Sequence, residues 1–177
     1  MIPSIRNPKY NQRINPEYNP HINPRYNAHV NPKFNAHVNP KYNSHINPKY
    51  NSHINPKYNS HINPLYNPHI NPKYNSRINP KYNASINPLY SSLSGCPLIY
   101  SLDGTFLFYA VSLSDKENVG YIIYKEDCEP SFYAFNDSEE GYVLYDVAMT
   151  LIGYWVKTDV GFNWFDANSE WIFYVIL

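Results

Sequence analysis

The apolar and polar positions in the first half of the chain recur with a period of eight residues. Asn-Pro recurs every eight residues from 7 to 87, in eleven copies of the consensus Ile-Asn-Pro-Lys-Tyr-Asn-Ser-His, and residues 41–64 are three identical copies. Only the aliphatic and the aromatic position of each copy are strongly apolar. A proline in every copy excludes a continuous helix and a long central strand, because proline lacks the backbone donor that both require. The first half is therefore a tandem array.

Each octapeptide predicts a turn followed by a short strand. Asn-Pro-Lys-Tyr fits a type I turn with proline in second place. The second asparagine is expected in the left-handed conformation, which asparagine tolerates, and Ser-His-Ile is expected to be a strand. Two or three octapeptides then close one coil of a β-solenoid, of 16 or 24 residues, with equivalent side chains stacked about 4.8 Å apart. An extended or disordered tract is the alternative, because the hydrophobicity is low.

The second half predicts a small antiparallel β domain. Its candidate strands are 98–101, 105–111, 119–125, 131–135, 142–147, 151–157, 161–165 and 171–177, separated by turns that include 114–118 and 136–141. Asp103-Gly104 is a hairpin turn signal. The strand at 171–177 is almost entirely apolar, so it must be central or pair with another molecule.

The predicted fold class is all-β in two parts. An array at 1–89 is followed by a linker at 90–97 and by an acidic, aromatic-rich domain at 98–177. That domain is expected to be a sandwich, a barrel or a meander that caps the solenoid.

The net charge of zero conceals two oppositely charged halves. Residues 1–89 carry 11 basic and 1 acidic residue (11 − 1 = +10), and residues 90–177 carry 3 basic and 13 acidic residues (3 − 13 = −10). Halves of opposite sign suggest different partners. We expect the array of one copy to meet the β domain of another, as a homo-oligomer or an open filament.

Basic and aromatic side chains alternate in the array in a way that suits an anionic polymer. A lysine and a tyrosine are neighbours in most copies, and lysine beside an aromatic ring is the combination that nucleic-acid grooves use. An acidic polysaccharide is an equal candidate, and a solvated face that keeps the protein soluble is the competing interpretation. The predicted binding residues are Lys33, Lys41, Lys49, Lys57, Tyr42, Tyr50 and Tyr58.

All seven histidines lie in the array, eight residues apart. Solvent exposure is their simplest interpretation, since Arg13, Arg77 and Ser85 occupy the same position in other copies. The weaker alternative is a metal-binding ladder, whose members would be His37, His45, His53 and His61. No metal and no other cofactor is predicted.

The second half lacks the residues of several enzyme classes. It contains no histidine, which excludes Ser-His-Asp and Cys-His sites within it, and no glycine-rich phosphate loop. A carboxylate pair for glycoside hydrolysis and a lectin-like role stay open. Cys96 and Cys128 could form a disulfide, but reduced thiols are the favoured interpretation. No run of about 18 apolar residues predicts a transmembrane segment and no signal peptide is recognisable, so the default expectation is intracellular.

The sequence thus predicts a non-enzymatic structural or interaction protein. Self-association or scaffolding of an assembly is the first hypothesis, and binding of an anionic polymer through the lysine and tyrosine positions is the alternative. A row of these side chains facing solvent favours the polymer, and a covered row favours assembly.

Overall fold

The computed structural model describes residues 2–114, 119–137 and 139–177, and its second half is a closed β-barrel. Each of its eight strands pairs antiparallel with the next along the chain, and β1 pairs with β8. The strands are β1 Leu98–Ser101, β2 Phe106–Ser112, β3 Gly120–Tyr124, β4 Pro130–Asn136, β5 Tyr142–Asp146, β6 Leu151–Thr158, β7 Gly161–Asp166 and β8 Trp171–Ile176.

This confirms the predicted all-β class. Of the sandwich, barrel and meander that were predicted as alternatives, the second half adopts the barrel. The apolar last strand lies between β7 and β1, so it is central as required. Of the predicted turns, residues 115–118 and Ser138 lie outside the described residues. No helix in the described part of the chain is both long and apolar enough to span a bilayer.

Aromatic side chains fill the barrel interior. Phe108 of β2 contacts Phe132 of β4 and Phe173 of β8, with ring centroids 5.5 and 6.2 Å apart. Because these strands are not neighbours, the contacts cross the centre of the barrel. Trp155 and Trp164 belong to the same buried cluster. The interior is therefore a core of packed side chains, as small barrels require.

The outer face of the barrel is apolar as well. Side chains of the opposite alternation, such as Leu98, Tyr109, Ile122 and Val143, are also buried. An antiparallel sheet commonly leaves one face to water, so a second buried face needs a cover. The octapeptide tract provides it, since isoleucines such as Ile54 pack in the same cluster.

Residues 3–90, which we call the belt, encircle the barrel once. The backbone at Arg6 contacts β1, at Ile22 it contacts β7, at Ile54 β5, and at Ile78 β3. The belt thus passes the strands in descending order. The β domain lies inside the array, where the sequence predicted a cap at its end.

Each octapeptide folds as two successive turns. In one copy, the Tyr50 N–H donates to the Asn47 carbonyl (2.9 Å), which confirms a turn at Asn-Pro-Lys-Tyr. The predicted strand Ser-His-Ile is instead a 3₁₀ turn, Ser52–Ile54. Asn51 caps it by accepting from the His53 N–H, with φ −112° and ψ 102°. The left-handed conformation predicted for this asparagine is therefore wrong. The 3₁₀ turns are Ser4–Arg6, Ala28–Val30, Ala36–Val38, Ser52–Ile54, Ser60–Ile62, Pro68–Ile70, Ser76–Ile78 and Ala84–Ile86.

The two asparagines of each copy link it to the copy before. Asn55 Nδ2 donates to the Pro48 carbonyl (2.9 Å), and Asn59 Nδ2 donates to the His53 carbonyl (2.7 Å). Among the described residues, such bonds within the belt span six or seven residues, whereas stacked coils need contacts at 16 or 24. The structure therefore does not show the predicted β-solenoid. The isoleucine face finds its apolar partner on the barrel rather than on another coil.

The barrel is built from four similar hairpins. Each carries two aromatic residues nine positions apart on the outer face, namely Tyr100 and Tyr109, Tyr124 and Tyr133, Tyr145 and Tyr154, and Phe165 and Tyr174. Each hairpin turn also has one residue with positive φ, in turn Gly104, Cys128, Met149 and Ser169. This fourfold repeat is fainter than the octapeptide, and the sequence analysis missed it.

Candidate interaction surface

Side chains on the outer face of the barrel fix the belt at one repeat position. The hydroxyls of Tyr100, Tyr124 and Tyr145 donate to the carbonyls of residues 6, 78 and 54, at 2.7, 2.6 and 2.8 Å. All three carbonyls belong to the position before Asn-Pro, which accepts no described hydrogen bond from the belt itself. Burial raises the pKa of Tyr100 to about 12, so its hydroxyl stays a donor near neutral pH.

The fourth hairpin uses a different donor at the same place. Phe165 occupies the tyrosine position and has no hydroxyl. Asn163, two residues earlier in β7, donates from Nδ2 to the Ile22 carbonyl at 2.7 Å. Side chains two apart on a strand share a face, so the replacement reaches the same carbonyl position. These contacts on β1, β3, β5 and β7 hold the belt at four places.

The number of repeats matches one circuit of the barrel. The contacts at residues 6, 22, 54 and 78 are separated by 16, 32 and 24 residues. A further 16 residues lead to position 94, and there the guanidinium of Arg6 donates to the carbonyls of Leu93 and Cys96. The separations sum to 88 residues, or eleven octapeptides. Arg6 therefore joins the two ends of the belt.

The predicted lysine and tyrosine residues lie together on the outer face of the belt. Tyr42, Tyr50 and Tyr58 are 66%, 68% and 67% exposed. The ammonium groups of Lys41, Lys49 and Lys57 each lie 5.5–5.6 Å from the ring centroid of the following tyrosine. These six residues form three equivalent cation–π pairs, whose rings are largely open to solvent in the described structure.

Lys33 differs from the other predicted binding residues. Its Nζ lies 2.7 Å from Glu170 Oε1 in the β7–β8 turn. Lys81 pairs in the same way with Glu129 of the β3–β4 turn. The opposite charges of the two halves thus meet within one chain, and such exposed pairs add little stability because water and salt screen them.

Among the described residues, Lys41, Lys49 and Lys57 form no ion pair with the barrel, although Asp137, Glu139 and Glu140 line a cavity with Ile46 of the belt. The nearby β5–β6 turn contains Val147, which lines a cavity together with Leu65. Its acidic residue, Asp146, accepts hydrogen bonds from the backbone N–H groups of Ala148 and Thr150, at 2.9 and 2.8 Å. This carboxylate organises its own turn. The positive charge of Lys41, Lys49 and Lys57 is therefore less opposed than that of Lys33.

The histidines do not form the ladder that was the weaker alternative. The described residues hold no group of three or more His, Cys, Asp or Glu side chains able to bind a metal ion. The geometry explains this. Eight tilted strands lie about 4.8 Å apart and the belt lies about 10 Å further out, so the circumference of the belt is roughly 110 Å. Each repeat then spans about 10 Å, instead of the roughly 4.8 Å of a stacked ladder. The four predicted residues, His37, His45, His53 and His61, are exposed.

A buried carboxylate lies under the belt near two of the histidines. Asp137 lines a cavity of about 280 Å³ with residues that include His29 and His37. Its Oδ1 accepts from the N–H groups of Glu139 and Gly141, at 3.0 and 3.2 Å, so it organises the turn between β4 and β5. Burial raises its pKa to about 6.

Both cysteines are free and buried. Burial raises the pKa of Cys96 to about 11, which keeps this thiol protonated. The Tyr109 hydroxyl contacts Cys128 Sγ at 3.7 Å. The structure thus agrees with the interpretation of both residues as reduced thiols.

Comparison with known proteins gave no relative. A scan against protein-family models, a search of curated proteins and a search of solved structures each found no match to this chain.

Proposed function

We propose that the protein is a non-enzymatic interaction protein that binds an anionic polymer along the outer face of its belt. The observation that carries this proposal is the solvent-facing row of lysine and tyrosine pairs. Lys41, Lys49, Lys57 and Lys73 each lie over the exposed ring of the next residue, and none has an ion-pair partner among the described residues.

A repeated surface of this kind suits a repeated ligand. Each ammonium gains little from one anionic group in water. Successive units of a polymer meet successive repeats, so later contacts form at a high effective concentration. The belt is fixed at four places on the barrel, so little ordering entropy opposes binding.

The test is binding of the full chain to labelled oligothymidylate and to a sulfated polysaccharide. Replacing Lys41, Lys49, Lys57 and Lys73 with glutamine is expected to abolish the binding that the unchanged chain shows at low salt. The matched control replaces His45, His53 and His61 with glutamine at pH 8, which changes the repeats of Lys41, Lys49 and Lys57 while keeping their lysines. Absence of binding by the unchanged chain to either polymer at low salt would refute the proposal.

Self-association is the second candidate function. It is supported by the large exposed apolar side chains that recur around the belt, including Phe34, Leu65 and Leu89, because such surfaces often mark interfaces. The charge argument for it is weaker, since Lys33 and Lys81 pair with acids of their own chain. Size-exclusion chromatography at low and at high salt tests it. A monomer under both conditions at high protein concentration would reject it.

A further inference from the structure

We infer that the polymer is single-stranded nucleic acid, and that it is held on the three identical repeats at residues 41–64 with bases stacked on Tyr42, Tyr50 and Tyr58. This inference rests on the proposed function and assigns its ligand and its position. The same residues provide a charge for the phosphate and a ring for the base at every step, which is how proteins hold single strands without sequence preference.

The rings are arranged for stacking. Each is about two-thirds exposed, and its own lysine lies against it at 5.5–5.6 Å. A lysine on one face leaves the other face of the ring to a flat ligand. A base stacked there lies between the ring and solvent, and the phosphate beside it is within reach of a flexible lysine side chain.

Other anionic polymers use only part of this surface. A duplex keeps the faces of its bases inside the helix, so it offers the lysines phosphates but offers the rings nothing to stack on. A sulfated polysaccharide has no aromatic face. With a single-stranded nucleic acid, both the lysine and the tyrosine of each pair contribute to binding.

The segment at 41–64 is the best-placed part of the belt. It contains three consecutive pairs, whereas Glu17 and Leu65 replace the lysine in other repeats. Lys33 and Lys81, on either side of this segment, are paired with acids of the barrel turns. Charge complementarity therefore places the strand between them.

The experiment measures the affinity of the full chain for labelled oligothymidylate by fluorescence anisotropy. With three phosphate contacts, affinity is expected to fall about twentyfold between about 50 and about 200 mM salt, since the slope is about −0.7 per contact for single strands. Tyr42→Ala, Tyr50→Ala and Tyr58→Ala are each expected to weaken binding by about fivefold or more, the low end for stacking on a protein ring, and the 42/50/58 triple variant that combines them is expected to weaken it further.

The control is the triple variant Tyr18→Ala, Tyr26→Ala and Phe34→Ala, which removes three exposed rings from belt repeats outside residues 41–64. It is expected to bind oligothymidylate as the unchanged chain does. Sulfated polysaccharide and duplex DNA are the comparison probes, and neither is expected to distinguish the two triple variants.

The outcomes separate this inference from the proposed function. Selective loss of oligothymidylate binding in the 42/50/58 variant supports the inference. Equal loss in both variants, or duplex bound as tightly as the single strand, would overturn it. If the polysaccharide binds and the single strand does not, the inference fails and the proposed function stands. If neither binds at low salt, both fail.

Discussion

A single carbonyl per octapeptide decides where the belt meets the barrel. The asparagine side chains form hydrogen bonds with backbone groups of the turns. The carbonyl before Asn-Pro, by contrast, has no hydrogen-bond partner within the repeat. A buried carbonyl without a donor costs about 1–3 kcal/mol. The barrel therefore supplies Tyr124 and Tyr145, and in the hairpin where phenylalanine replaces tyrosine it supplies Asn163.

The contact that closes the belt is a residue-scale feature that can be tested. Arg6→Ala leaves the carbonyls of Leu93 and Cys96 without their guanidinium donor. We expect the free energy of unfolding to fall by about 1–3 kcal/mol, measured by urea denaturation. Arg13→Ala is the control, because Arg13 is exposed. Equal denaturation midpoints for the two variants would show that the closure adds no stability.

Asp137 gives stability a predictable dependence on pH. Its pKa of about 6 in the folded chain exceeds the value of about 3.9 expected for an unfolded chain. The folded state therefore binds the proton more tightly. The contribution of Asp137 is fully present below about pH 4 and is lost as the pH rises through about 6, an effect of roughly 3 kcal/mol.

The substitution Asp137→Asn tests this sign. It keeps the Oδ1 acceptor and removes the ionisation, so we expect the variant to be more stable than the unchanged chain at pH 8 and to lose this advantage towards pH 4. Asp159→Asn, at an exposed position, controls for the loss of one negative charge. An advantage that does not change with pH would contradict the assignment.

At the scale of elements, the length of the belt determines whether it can make all of its contacts with the barrel. Its contacts are separated by 16, 32 and 24 residues, always a multiple of eight, because only whole repeats present the same carbonyl and isoleucine to the next hairpin. Eleven octapeptides do not divide evenly among four hairpins. We therefore expect the repeat number to be matched to the circumference of the barrel.

Deletion of residues 49–56 tests that relation without changing local sequence, because the flanking copies are identical. The shortened belt cannot reach every contact and also close at Arg6, so we expect a large loss of thermal stability or an insoluble product. Insertion of one further identical octapeptide is the control. It should cost much less, since lengthening a loop carries a small entropic penalty. Equal effects of deletion and insertion would contradict a belt of fitted length.

For the whole molecule, the belt acts as the second wall of a two-layered core. Both faces of the barrel strands are buried, the inner face against aromatic rings and the outer face against isoleucines of the belt. The opposite charges of the two halves meet in this arrangement, since Lys33 and Lys81 of the belt pair with acids of the barrel turns. A net charge of zero is then a property of one folded chain.

The corresponding prediction concerns the barrel without its belt. We expect a fragment of residues 91–177 to aggregate, because its outer apolar face is uncovered. Adding the separate fragment 1–90 during refolding should recover soluble protein, which light scattering and size-exclusion chromatography would measure. A soluble, folded 91–177 fragment alone would show that the belt is not needed as a cover.

The period-eight pattern predicted the turn at Asn-Pro-Lys-Tyr correctly and placed each lysine beside a tyrosine, since both depend on residues close together in the chain. Whether the rings face solvent was left open. Lys41 and Tyr42 are neighbours, and Asn47 bonds to Tyr50 three residues later. The β-solenoid was expected because a turn and a short strand in each octapeptide could close a coil with stacked side chains. The isoleucine face has in fact two possible apolar partners, other copies of the repeat or the strands of the second half. Local preference does not choose between them, and the nine-residue aromatic spacing that marks the strands as the partner is too faint among so many aromatics.

Sequence alone determined the turn at Asn-Pro-Lys-Tyr, the strands of the second half and the opposite charges, because each follows from local backbone preference or from composition. Only the tertiary structure decided that the array surrounds the barrel, that Arg6 closes it, and that Lys33 is neutralised while Lys41, Lys49 and Lys57 stay open. The physical reason is that these features depend on the circumference of a closed barrel and on which turns lie beside which repeats. Both are set only when strands distant in sequence have paired.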